Sequence, residues 1–429
     1  MRLQKCFPLS LLLFIADYIS PAETKFVPSA LQRVHQFATR QTHSLAKDLR
    51  LAFGGVLAPR DNSSPPPAQH VVYCKMKQAP FISGPTGGNN TTSAVGGGMS
   101  SSTTPTSRQA SPTGAVSNSP WKLQQSYSGD SFFQGWDFFI GDDPTNGIVN
   151  YVDETTARST GLLEVNDQGN AIMRVETTPK VDNLRNSVRI TTKFQFNGGL
   201  VIMDAVHMPT GCGSWPAFWT NANGLDWPEG GEIDIVEGVH DYTNNQATIH
   251  TEVGCTLPST DQGVLAISGS VIGLSNCAAA ETGNQGCGIR ASSNKSFGAS
   301  FNNNGGGTYA MKWDTSGIAI YFFPRGSEPA DITAGKPEPD SWGTAMARWP
   351  AASCDPFKFF KVHRAIFDTT LCGDWAAGVW SSAGIPGQEQ SCAQKTGFTT
   401  CEEFVRESGS TLKGAYWEVK DVKIYQLQS

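Results

Sequence analysis

The chain has 429 residues, of which 16% are charged, and its formal net charge is -6. The charged fraction lies below the roughly 25% of an average soluble protein, and the net acidity disfavours nucleic acid as a partner, because phosphate binding needs basic patches. The chain is rich in Gly (45), Trp (11) and Phe (23), and this composition favours turns and strands over long helices. A surface poor in charge and rich in aromatic and amide groups suits a neutral polar ligand.

The first 22 residues have the pattern of a secretory signal peptide. Arg2 and Lys5 precede an apolar run over 7–15, and Asp17 follows that run. The run is too short to span a bilayer, and a short membrane anchor is the alternative. We therefore predict a signal peptide over 1–22, secretion to the outside of the cell or into its wall, and no stable membrane insertion.

The next two segments differ in composition. Residues 23–55 carry apolar residues at three- and four-residue steps, which predicts a short amphipathic helix in a pro-region. Residues 56–120 are rich in Gly, Ser, Thr and Pro and too poor in apolar residues to form a core, which predicts a flexible linker suited to O-glycosylation. From Trp121 onward the composition is globular, so 121–429 is predicted to be one folded domain.

Eight of the ten cysteines lie in 121–429. No CxxC pair occurs among them, so their spacings are unlike those of metal sites, whereas an even number in a secreted chain predicts disulfides. Cys277 and Cys287 are close enough in sequence to close a small loop, but the sequence does not determine the pairing. Four Asn-x-Ser/Thr triplets, one of them at Asn294, are compatible with N-glycosylation.

Within 121–429, short runs of alternating apolar and polar residues predict β-strands. These runs are 171–178, 187–196, 199–208, 231–239, 246–253, 309–323, 360–368 and 415–426. The run 309–323 contains a turn at 314–317 and predicts a hairpin, and few segments have a helical period. We therefore predict an all-β domain, a sandwich of two antiparallel sheets packed face to face.

The strand at 231–239 carries three acids, Glu232, Asp234 and Glu237, in the sequence GGEIDIVEG. Side chains alternate along a strand, so Glu232 and Asp234 share a face, while strict alternation would send Glu237 into the core. A lone buried carboxylate is costly. We therefore predict a β-bulge at Ile235 or Val236, which shifts the phase and returns Glu237 to the face of the other acids.

This arrangement suggests a catalytic role for the two glutamates. A bulged strand separates the Cα atoms of Glu232 and Glu237 by roughly 13 Å, and leaning side chains bring the carboxyl groups to about 5–6 Å. Retaining glycosidases hold a nucleophile and an acid/base about 5–5.5 Å apart. Asp234 lies between them, can share a hydrogen bond with Glu232, and helps to keep one proton in the cluster.

The alternatives to a catalytic role are an amphipathic strand with a solvated acidic face and a calcium site. Nearby aromatic residues favour the glycosidase hypothesis, because aromatic faces stack on sugar rings. These residues are Trp215, Phe218, Trp219 and Trp227.

The pattern Glu-x-Asp-x-x-Glu at 232–237 resembles the signature of glycoside hydrolase family 16 in its bulged, laminarinase-like form. The chain also resembles secreted fungal endo-1,3(4)-β-glucanases in the segments 131–153, 187–220, 244–255, 305–314, 367–380 and 415–425, so that the resemblance covers 121–429. It implies a β-jelly-roll sandwich of the concanavalin A type, with an open cleft for a polysaccharide chain.

The resemblance implies roles for single residues. Glu232 would be the nucleophile, Glu237 the acid/base and Asp234 the assisting carboxylate. His250, in the sequence ATIHT, would lie on the neighbouring strand near the acid/base, with a structural histidine as the alternative. The chain departs from the family at His240, where we expect a neutral polar residue. The remaining substrate-binding candidates are Trp219, Trp375, Trp136, Asn150, Tyr151 and Arg189, the last of which could equally form an ion pair on the sheet.

We therefore expect a secreted, monomeric endo-glycosidase that hydrolyses β-1,3- or mixed β-1,3/1,4-glucan with retention, by double displacement. One alternative is a cell-wall transglycosylase on the same scaffold, although the cell-wall transglycosylases of this kind carry an unbulged Glu-x-Asp-x-Glu. Another is a non-catalytic glucan-binding protein, which would not need three intact acids. No oxygen-rich loop has convincing calcium spacing, so no metal or other cofactor is expected.

Overall fold

The computed structural model of the chain describes residues 119–428. The predicted signal peptide, the amphipathic helix and nearly all of the predicted linker lie outside these residues, so the domain boundaries drawn before Trp121 stay predictions. No helix within 119–428 is long and apolar enough to cross a membrane.

Residues 119–428 form eighteen strands, nine short α-helices and three 3₁₀ helices. The strands are β1 Trp121–Ser128, β2 Trp136–Phe138, β3 Val149–Tyr151, β4 Leu163–Val165, β5 Ala171–Arg174, β6 Arg185–Ser187, β7 Arg189–Thr192, β8 Gly199–His207, β9 Ser214–Ala222, β10 Glu232–Glu237, β11 Gln246–His250, β12 Ser270–Ile272, β13 Cys287–Arg290, β14 Gly307–Asp314, β15 Gly317–Pro324, β16 Ala347–Pro350, β17 His363–Leu371 and β18 Tyr416–Leu427. The α-helices are α1 Glu154–Ser159, α2 Gln262–Leu265, α3 Ala279–Thr282, α4 Gly298–Asn303, α5 Ala330–Thr333, α6 Pro356–Phe359, α7 Gly373–Gly378, α8 Cys392–Thr396 and α9 Cys401–Glu407. The 3₁₀ helices are Gly129–Ser131, Pro339–Ser341 and Gly409–Gly414.

The strands form two large antiparallel sheets, as predicted. The first sheet has the order β16-β15-β14-β8-β18-β5-β4, with β1 also paired to β18. The second has the order β12-β13-β11-β10-β9-β17-β7-β2, and β3 and β6 form a small parallel pair. The predicted hairpin is confirmed, because β14 pairs with β15 up to Asp314 opposite Gly317.

The two large sheets share one hydrophobic core. Met203, Met311 and Val422 of the first sheet belong to the same buried cluster as Ile249 and Phe367 of the second. All five side chains are fully shielded from solvent, and burial of each stabilises the fold by about 1.5–3 kcal/mol. The sandwich therefore has one inner face on each sheet, and it leaves the other face of the second sheet for polar side chains.

Strand β9 lies in the middle of the second sheet, and the sequence patterns did not predict it. Its Pro216 has no N–H group and is disfavoured inside a sheet. The pairing with β10 ends at Ala217, opposite Glu237, while Pro216 lies opposite Thr369 of β17. The proline therefore lies where β9 no longer has β10 as a neighbour.

All eight cysteines of the domain form disulfides, as predicted, and Cys277 does pair with Cys287. The other bonds are Cys212–Cys392, Cys255–Cys354 and Cys372–Cys401. Two of the four attach the helices α8 and α9 to the segments that lead into β9 and out of β17. These attachments matter because the same two segments carry aromatic residues of the candidate site.

Candidate active site

The predicted β-bulge is present in β10. In the pairing with β9, Asp234 lies opposite Trp219 and Val236 lies opposite Phe218, so Ile235 is the extra residue. A bulge of this kind shifts the alternation of the following side chains by one position. The prediction from the sequence, which placed the phase shift at Ile235 or Val236, is confirmed.

The bulge separates the apolar and acidic residues of β10. Ile235 and Val236 are both fully buried and belong to the core. Glu232 and Glu237 are half-buried, and Asp234 is 3% exposed. Two consecutive apolar side chains thus pack inward, and the acids on both sides of them lie on the opposite face of the sheet.

Two glycines lead the chain into β10. Gly230 and Gly231 have φ angles of 77° and 76°, in the left-handed region that favours glycine. A Cβ atom on Gly231 would come within 2.5 Å of the ring of Phe360. The turn that precedes Glu232 therefore depends on the absence of a side chain. Just before it, the exposed Trp227 donates a hydrogen bond from Nε1 to Oε2 of Glu232, at 2.9 Å.

Neighbouring strands add further polar and aromatic groups to the same face. Opposite Glu232 lies His250 of β11, and opposite Ala217 of β9 lies Asp368 of β17. Asp368 in turn lies opposite Arg189 of β7. We call this surface the acid face, defined by Glu232, Asp234, Glu237, His250, Trp215, Trp219, Asp368 and Arg189.

Burial and like charge raise the pKa values of the first two acids. The pKa of Glu232 rises to about 8, through burial and then through Asp234, while His250 and the hydrogen bond from Trp227 oppose the shift. The pKa of Asp234 also rises to about 8, through burial and then through Asp368, and a hydrogen bond with Glu232 opposes the shift. The pair therefore retains protons at pH values where exposed carboxyl groups have lost them.

Glu237 has one strong hydrogen-bond donor. Trp215 donates from Nε1 to Oε1 of Glu237 at 2.9 Å, and its ring meets Trp375 edge to face, with centroids 5.8 Å apart. Burial, followed by the charge of Asp234, raises the pKa of Glu237 well above its ordinary value. A protonated carboxyl at this position suits proton donation to a leaving group.

His250 lies closer to the first acids than the resemblance implied. We expected it near Glu237, but the register places it directly opposite Glu232, and its Nε2 is 3.4 Å from Oδ2 of Asp234. Its positive form lowers the pKa of both glutamates. One ligand atom each from Glu232, Asp234 and His250 lie within 4.8 Å of one another.

Asp368 is a fourth buried carboxyl on the acid face, and the sequence patterns did not single it out. It accepts a hydrogen bond from Nε1 of Trp219 at 3.1 Å. Burial raises its pKa to about 7, Arg189 opposes the shift and Asp143 adds to it. Its signal in the sequence is the one that revealed the other acids, a lone carboxylate in an apolar strand, here AIFDTTL at 365–371.

Arg189 lies over two aromatic rings and acts on a buried carboxyl group, and its contact with a substrate stays a prediction. Its guanidinium lies over the rings of Phe139 and Trp219, at 4.6 and 5.0 Å from their centroids, which is cation–π geometry. Its charge also lowers the pKa of Asp368. Arg189 therefore supports the position of the Trp219 ring from the side opposite the acids' strand.

Three expected substrate contacts lie elsewhere. Trp136 packs in the core, where it is 3% exposed, so it cannot touch a ligand on the surface. Tyr151 is also buried, and its hydroxyl is hydrogen-bonded to Thr370. Asn150 is exposed and bonds to Asn186. The structure brings the other four candidates, Trp219, Trp375, Arg189 and His250, close to the acids. Trp136 and Tyr151 instead stabilise the scaffold, and Asn150 lies on its exposed surface.

The departure at His240 has a physical cause. His240 is fully buried, and its Nδ1 accepts a hydrogen bond from the N–H of Gly213 at 3.0 Å. Its Nε2 lies 2.9 Å from the carbonyl of Ala376, so that this nitrogen carries the proton and donates. Burial lowers its pKa to about 4. The imidazole is therefore neutral, and it acts as the neutral polar group that the family pattern led us to expect.

The sequence of residues 136–425 matches the family model of the XgeA-like catalytic domain of glycoside hydrolase family 16. The chain belongs to glycoside hydrolase family 16. This family 16 domain is 40% identical over 309 residues to a probable glycosidase of Schizosaccharomyces pombe, covering 71% of the chain and 69% of that protein. It is 39% identical over 317 residues to the endo-1,3(4)-β-glucanase xgeA of Emericella nidulans, covering 73% of the chain and 48% of that protein.

A probable endo-1,3(4)-β-glucanase of Aspergillus niger is 40% identical over 312 residues, with 72% of the chain and 40% of that protein covered. The chain therefore spans less than half the length of the two named endo-glucanases. The difference in length leaves room in those proteins for segments that the family 16 domain does not represent.

Solved family 16 structures have the same fold. Laminarinase 16A from Phanerochaete chrysosporium, with β-glucans in its donor and acceptor sites, has 36% identity and a TM-score of 0.64, covering 71% of this chain and 99% of that one. An elongating family 16 β-1,3-glucosyltransferase has 37% identity and a TM-score of 0.63, covering 71% of this chain and 100% of that one. The predicted jelly-roll sandwich is confirmed.

Proposed function

We propose that the chain is a retaining endo-β-glucanase that cleaves β-1,3- or mixed β-1,3/1,4-glucan. The observation that carries the proposal is the bulge at Ile235, because it leaves Glu232, Asp234 and Glu237 on one face. Two carboxyl groups in one site are the requirement for glycoside hydrolysis with acid and nucleophilic catalysis. The names of the similar fungal proteins and the glucan-bound laminarinase support the choice of substrate.

In the first step, Glu232 attacks the anomeric carbon while Glu237 donates its proton to the departing glycosidic oxygen. The attacking form of Glu232 is the ionised one, which below about pH 8 is the minority form of the pair and exists when the shared proton lies on Asp234. The bond to the leaving sugar breaks, and a covalent glycosyl-enzyme ester forms. Trp227 and His250 stabilise the charged form of Glu232, since both lower its pKa. Asp234, with a pKa of about 8, retains a proton that it can share with Glu232.

In the second step, the carboxylate of Glu237 removes a proton from water, and the water oxygen attacks the same anomeric carbon. Glu232 leaves as a carboxylate, and two inversions give overall retention. Glu237 regains its proton and is ready for another cycle. Burial keeps the pKa of Glu237 high, which suits a group that must give and recover one proton in each turnover.

We propose Trp219, Trp375, His250 and Arg189 as substrate-binding residues, and we add Trp227. Trp227 is 45% exposed and its indole is bonded to Glu232, so that its ring stands beside the proposed nucleophile. Aromatic faces of this kind supply apolar area to a sugar ring without displacing its hydroxyl groups from water. The set excludes Trp136 and Tyr151, which are buried, and Asn150, whose side chain bonds to Asn186.

Glutamine variants test the proposed catalytic pair. Glu232→Gln and Glu237→Gln should each lower the release of reducing sugar from laminarin by at least about 100-fold, since each removes a group needed in the transition state. Thermal unfolding should show that both variants fold. Glu154→Gln on the exposed first turn of α1 is the matched control and should retain activity. Full activity in either catalytic variant would remove the assignment.

Transglycosylation is the second candidate function, because an elongating glucosyltransferase resembles the chain as closely as the laminarinase does. The glycosyl-enzyme ester can be attacked by a sugar hydroxyl instead of water. Chromatography of the products from a laminari-oligosaccharide distinguishes the two outcomes. Chains longer than the starting oligosaccharide indicate transfer, and shorter chains alone indicate hydrolysis.

We also propose that the protein is secreted and acts as a monomer. Four disulfides favour an oxidising compartment, and the signal-peptide pattern over 1–22 agrees with that. Expression of the full chain in a eukaryotic host should release a protein that lacks residues 1–22 into the medium. Light scattering on that protein should give the mass of one chain, and a retained N-terminus would favour the membrane-anchor alternative.

A further inference from the structure

The bulge leaves part of β10 without a backbone partner in β11. β11 pairs with Glu232, Ile233 and Asp234 and with no later residue of β10. The carbonyl of Ile235 and the N–H of Glu237 therefore need other partners, because unpaired backbone groups at a buried position are costly. Both partners come from one side chain that precedes β11.

Asn245 supplies both hydrogen bonds. Its Nδ2 donates to the carbonyl of Ile235 at 2.9 Å, and its Oδ1 accepts from the N–H of Glu237 at 2.9 Å. A carbonyl can only accept and an N–H can only donate, so this pair of contacts also determines which way the amide faces. The amide of Asn245 thus replaces, on the bulged segment, the two backbone bonds that β11 does not make.

The amide is held firmly in this position. Asn245 is fully buried, its N–H donates to Oγ of Ser296 at 2.9 Å, and its carbonyl accepts from the N–H of Ala291 at 2.8 Å. Both backbone groups and both side-chain polar atoms of Asn245 therefore have partners. A side chain that is anchored at both its backbone groups can fix the position of whatever its amide binds.

We propose that Asn245 is a positioning residue that fixes the bulge and thereby places the carboxyl group of Glu237 for proton transfer. The inference rests on the proposed function, since it assumes that Glu237 is the acid/base. Asn245 acts through the backbone of Glu237 and touches neither the substrate nor the carboxyl group. A displacement of about 1 Å at a catalytic group can lower a rate about 100-fold, so the loss of this amide should be visible in catalysis.

The adjacent residue is a matched control. Asn244 is also buried, at 8% exposure, and its Nδ2 donates to the carbonyl of Ala291 at 2.8 Å. Its side chain makes no described hydrogen bond to β10. Asn244→Ala therefore removes a buried amide of the same loop, with a similar expected loss of stability, and leaves the bulge untouched.

Two substrates separate a displaced acid from a general defect. Laminarin has a sugar leaving group that needs a proton, whereas 2,4-dinitrophenyl β-laminaribioside has a leaving group that departs without one. For Asn245→Ala we expect kcat/KM on laminarin to fall by about 100-fold and kcat/KM on the aryl substrate to fall by less than about 10-fold. On the aryl substrate kcat and KM should fall together. A displaced Glu237 activates water poorly, so the glycosyl-enzyme is hydrolysed slowly and accumulates, which lowers both constants and changes their ratio little. Asn244→Ala should show the same small change on both substrates.

Several outcomes would overturn the inference. The inference fails if Asn245→Ala lowers kcat/KM by the same factor on laminarin and on the aryl substrate. It also fails if the variant lowers kcat/KM on neither substrate. If circular dichroism shows that this variant does not fold, Asn245→Leu, which keeps the buried volume and lacks both hydrogen bonds, decides with the same substrates. Glu237→Ala is measured in parallel. If Glu237→Ala loses as much kcat/KM on the aryl substrate as on laminarin, the proposed function itself fails. If Glu237→Ala retains more activity on the aryl substrate and the Asn245 variants do not, only the role of Asn245 fails.

Discussion

The four carboxyl groups of the acid face influence one another's pKa values. They belong to Glu232, Asp234, Glu237 and Asp368. Asp234 raises the pKa of both glutamates, and Asp368 raises the pKa of Asp234. Burial is the largest cause for each of the four, and the neighbouring charges add to it. The pH at which such a cluster is active therefore belongs to the group as a whole, and a charge removed at one member should alter the profile.

Asp368→Asn should shift both limbs of the pH profile of kcat/KM to lower pH, by roughly one unit. The negative charge of Asp368 raises the proton affinity of Asp234, so its removal lowers the proton affinity of the cluster. The amide keeps an oxygen that can accept from Trp219, which separates the charge from the hydrogen bond. The other charged or titratable groups that face Asp368 are Arg189, Asp143 and Tyr151, and they are unchanged. Asp167→Asn, which removes an exposed charge beside the first sheet, should leave the profile in place.

Trp215→Phe should move the alkaline limb in the opposite direction. The indole N–H stabilises the ionised form of Glu237 and lowers its pKa. Without this donor, Glu237 keeps its proton to a higher pH, so kcat/KM on laminarin should persist further into the alkaline range. If the alkaline limbs of Asp368→Asn and Trp215→Phe shift in the same direction, the causes assigned to the two pKa shifts are wrong. If the parent protein and both variants have identical pH profiles, the groups that control activity lie outside the acid face.

Sequence reasoning identified the three acids of β10 but neither Asp368 nor Asn245, for a physical reason. The acids of β10 can be recognised from one segment of the sequence. Side-chain alternation along a strand and the cost of burying a charge both apply to that segment without knowledge of its neighbours. Asp368 and Asn245 acquire their meaning from partners more than a hundred residues away or from a carbonyl freed by the bulge. Nothing in its own segment marks Asn245, and the lone carboxylate in the apolar segment of Asp368 does not show which residues it meets without the register between strands.

At the scale of elements, the bulge reconciles two demands on one strand. Ile235 and Val236 both pack in the hydrophobic core, while the acidic residues on each side of them lie on the opposite face of the sheet. A regular strand cannot satisfy both, because two consecutive side chains point to opposite faces. This conflict is readable in the sequence, and it is why the bulge could be predicted whereas β9, with its proline, could not.

Deletion of Ile235 tests the need for the extra residue. The shortened strand would read Glu-x-Asp-x-Glu, so all three acids would remain on one face with regular alternation. We expect the protein to fold with a lower Tm, because a buried isoleucine is lost, at a cost of about 2–5 kcal/mol. We expect kcat/KM on laminarin to fall by about 100-fold or more, because Glu237 moves relative to Glu232.

Val236→Ala is the control for this deletion, since it leaves a cavity in the same strand and keeps the register. Its activity should stay within about 10-fold of the parent protein, as expected for a loss of stability without a shift of Glu237. Similar activities for the deletion and the control would show that the phase shift is not required for catalysis.

At the scale of the whole molecule, the fold class and the strand order differ in how far the sequence reveals them. Period-two alternation predicts sheets with one buried face, because each strand hides half of its side chains. The strand order brings together residues that are distant along the chain. β1 pairs with β18, and β8 lies between β14 and β18. Local pattern cannot encode such pairings, so the jelly-roll arrangement followed from the family resemblance and not from spacing.

The buried acids and histidines predict how stability depends on pH. In the folded state the pKa values of Glu232 and Asp234 are about 8 and that of Asp368 is about 7, whereas in the unfolded chain they lie at about 4. Between these values the folded state binds more protons than the unfolded state, so stability falls as the pH rises. The buried His240 and His363 have folded pKa values of about 4, so their contribution is lost as the pH falls below about 6.5.

In the range from about pH 6.5 to 8 the carboxyl groups dominate, because the two histidines are neutral in the folded state and each loses only about half a proton in the unfolded chain. Each carboxyl that unfolding deprotonates lowers the free energy of unfolding by about 1.4 kcal/mol per pH unit, which for a domain of this size is about 2 °C or more in Tm. We therefore expect Tm to fall from pH 6.5 to 8 and to keep falling above pH 8 for as long as Glu237 and the other carboxyl groups of the acid face hold protons in the folded state. Glu232→Gln should show a shallower fall, since the amide cannot titrate, whereas Glu154→Gln should follow the parent protein. A Tm that is constant or rises across this range, or an equal slope in the Glu232→Gln variant, would mean that the acid face is ionised in the folded state and that the proton needed by Glu237 is not stored there.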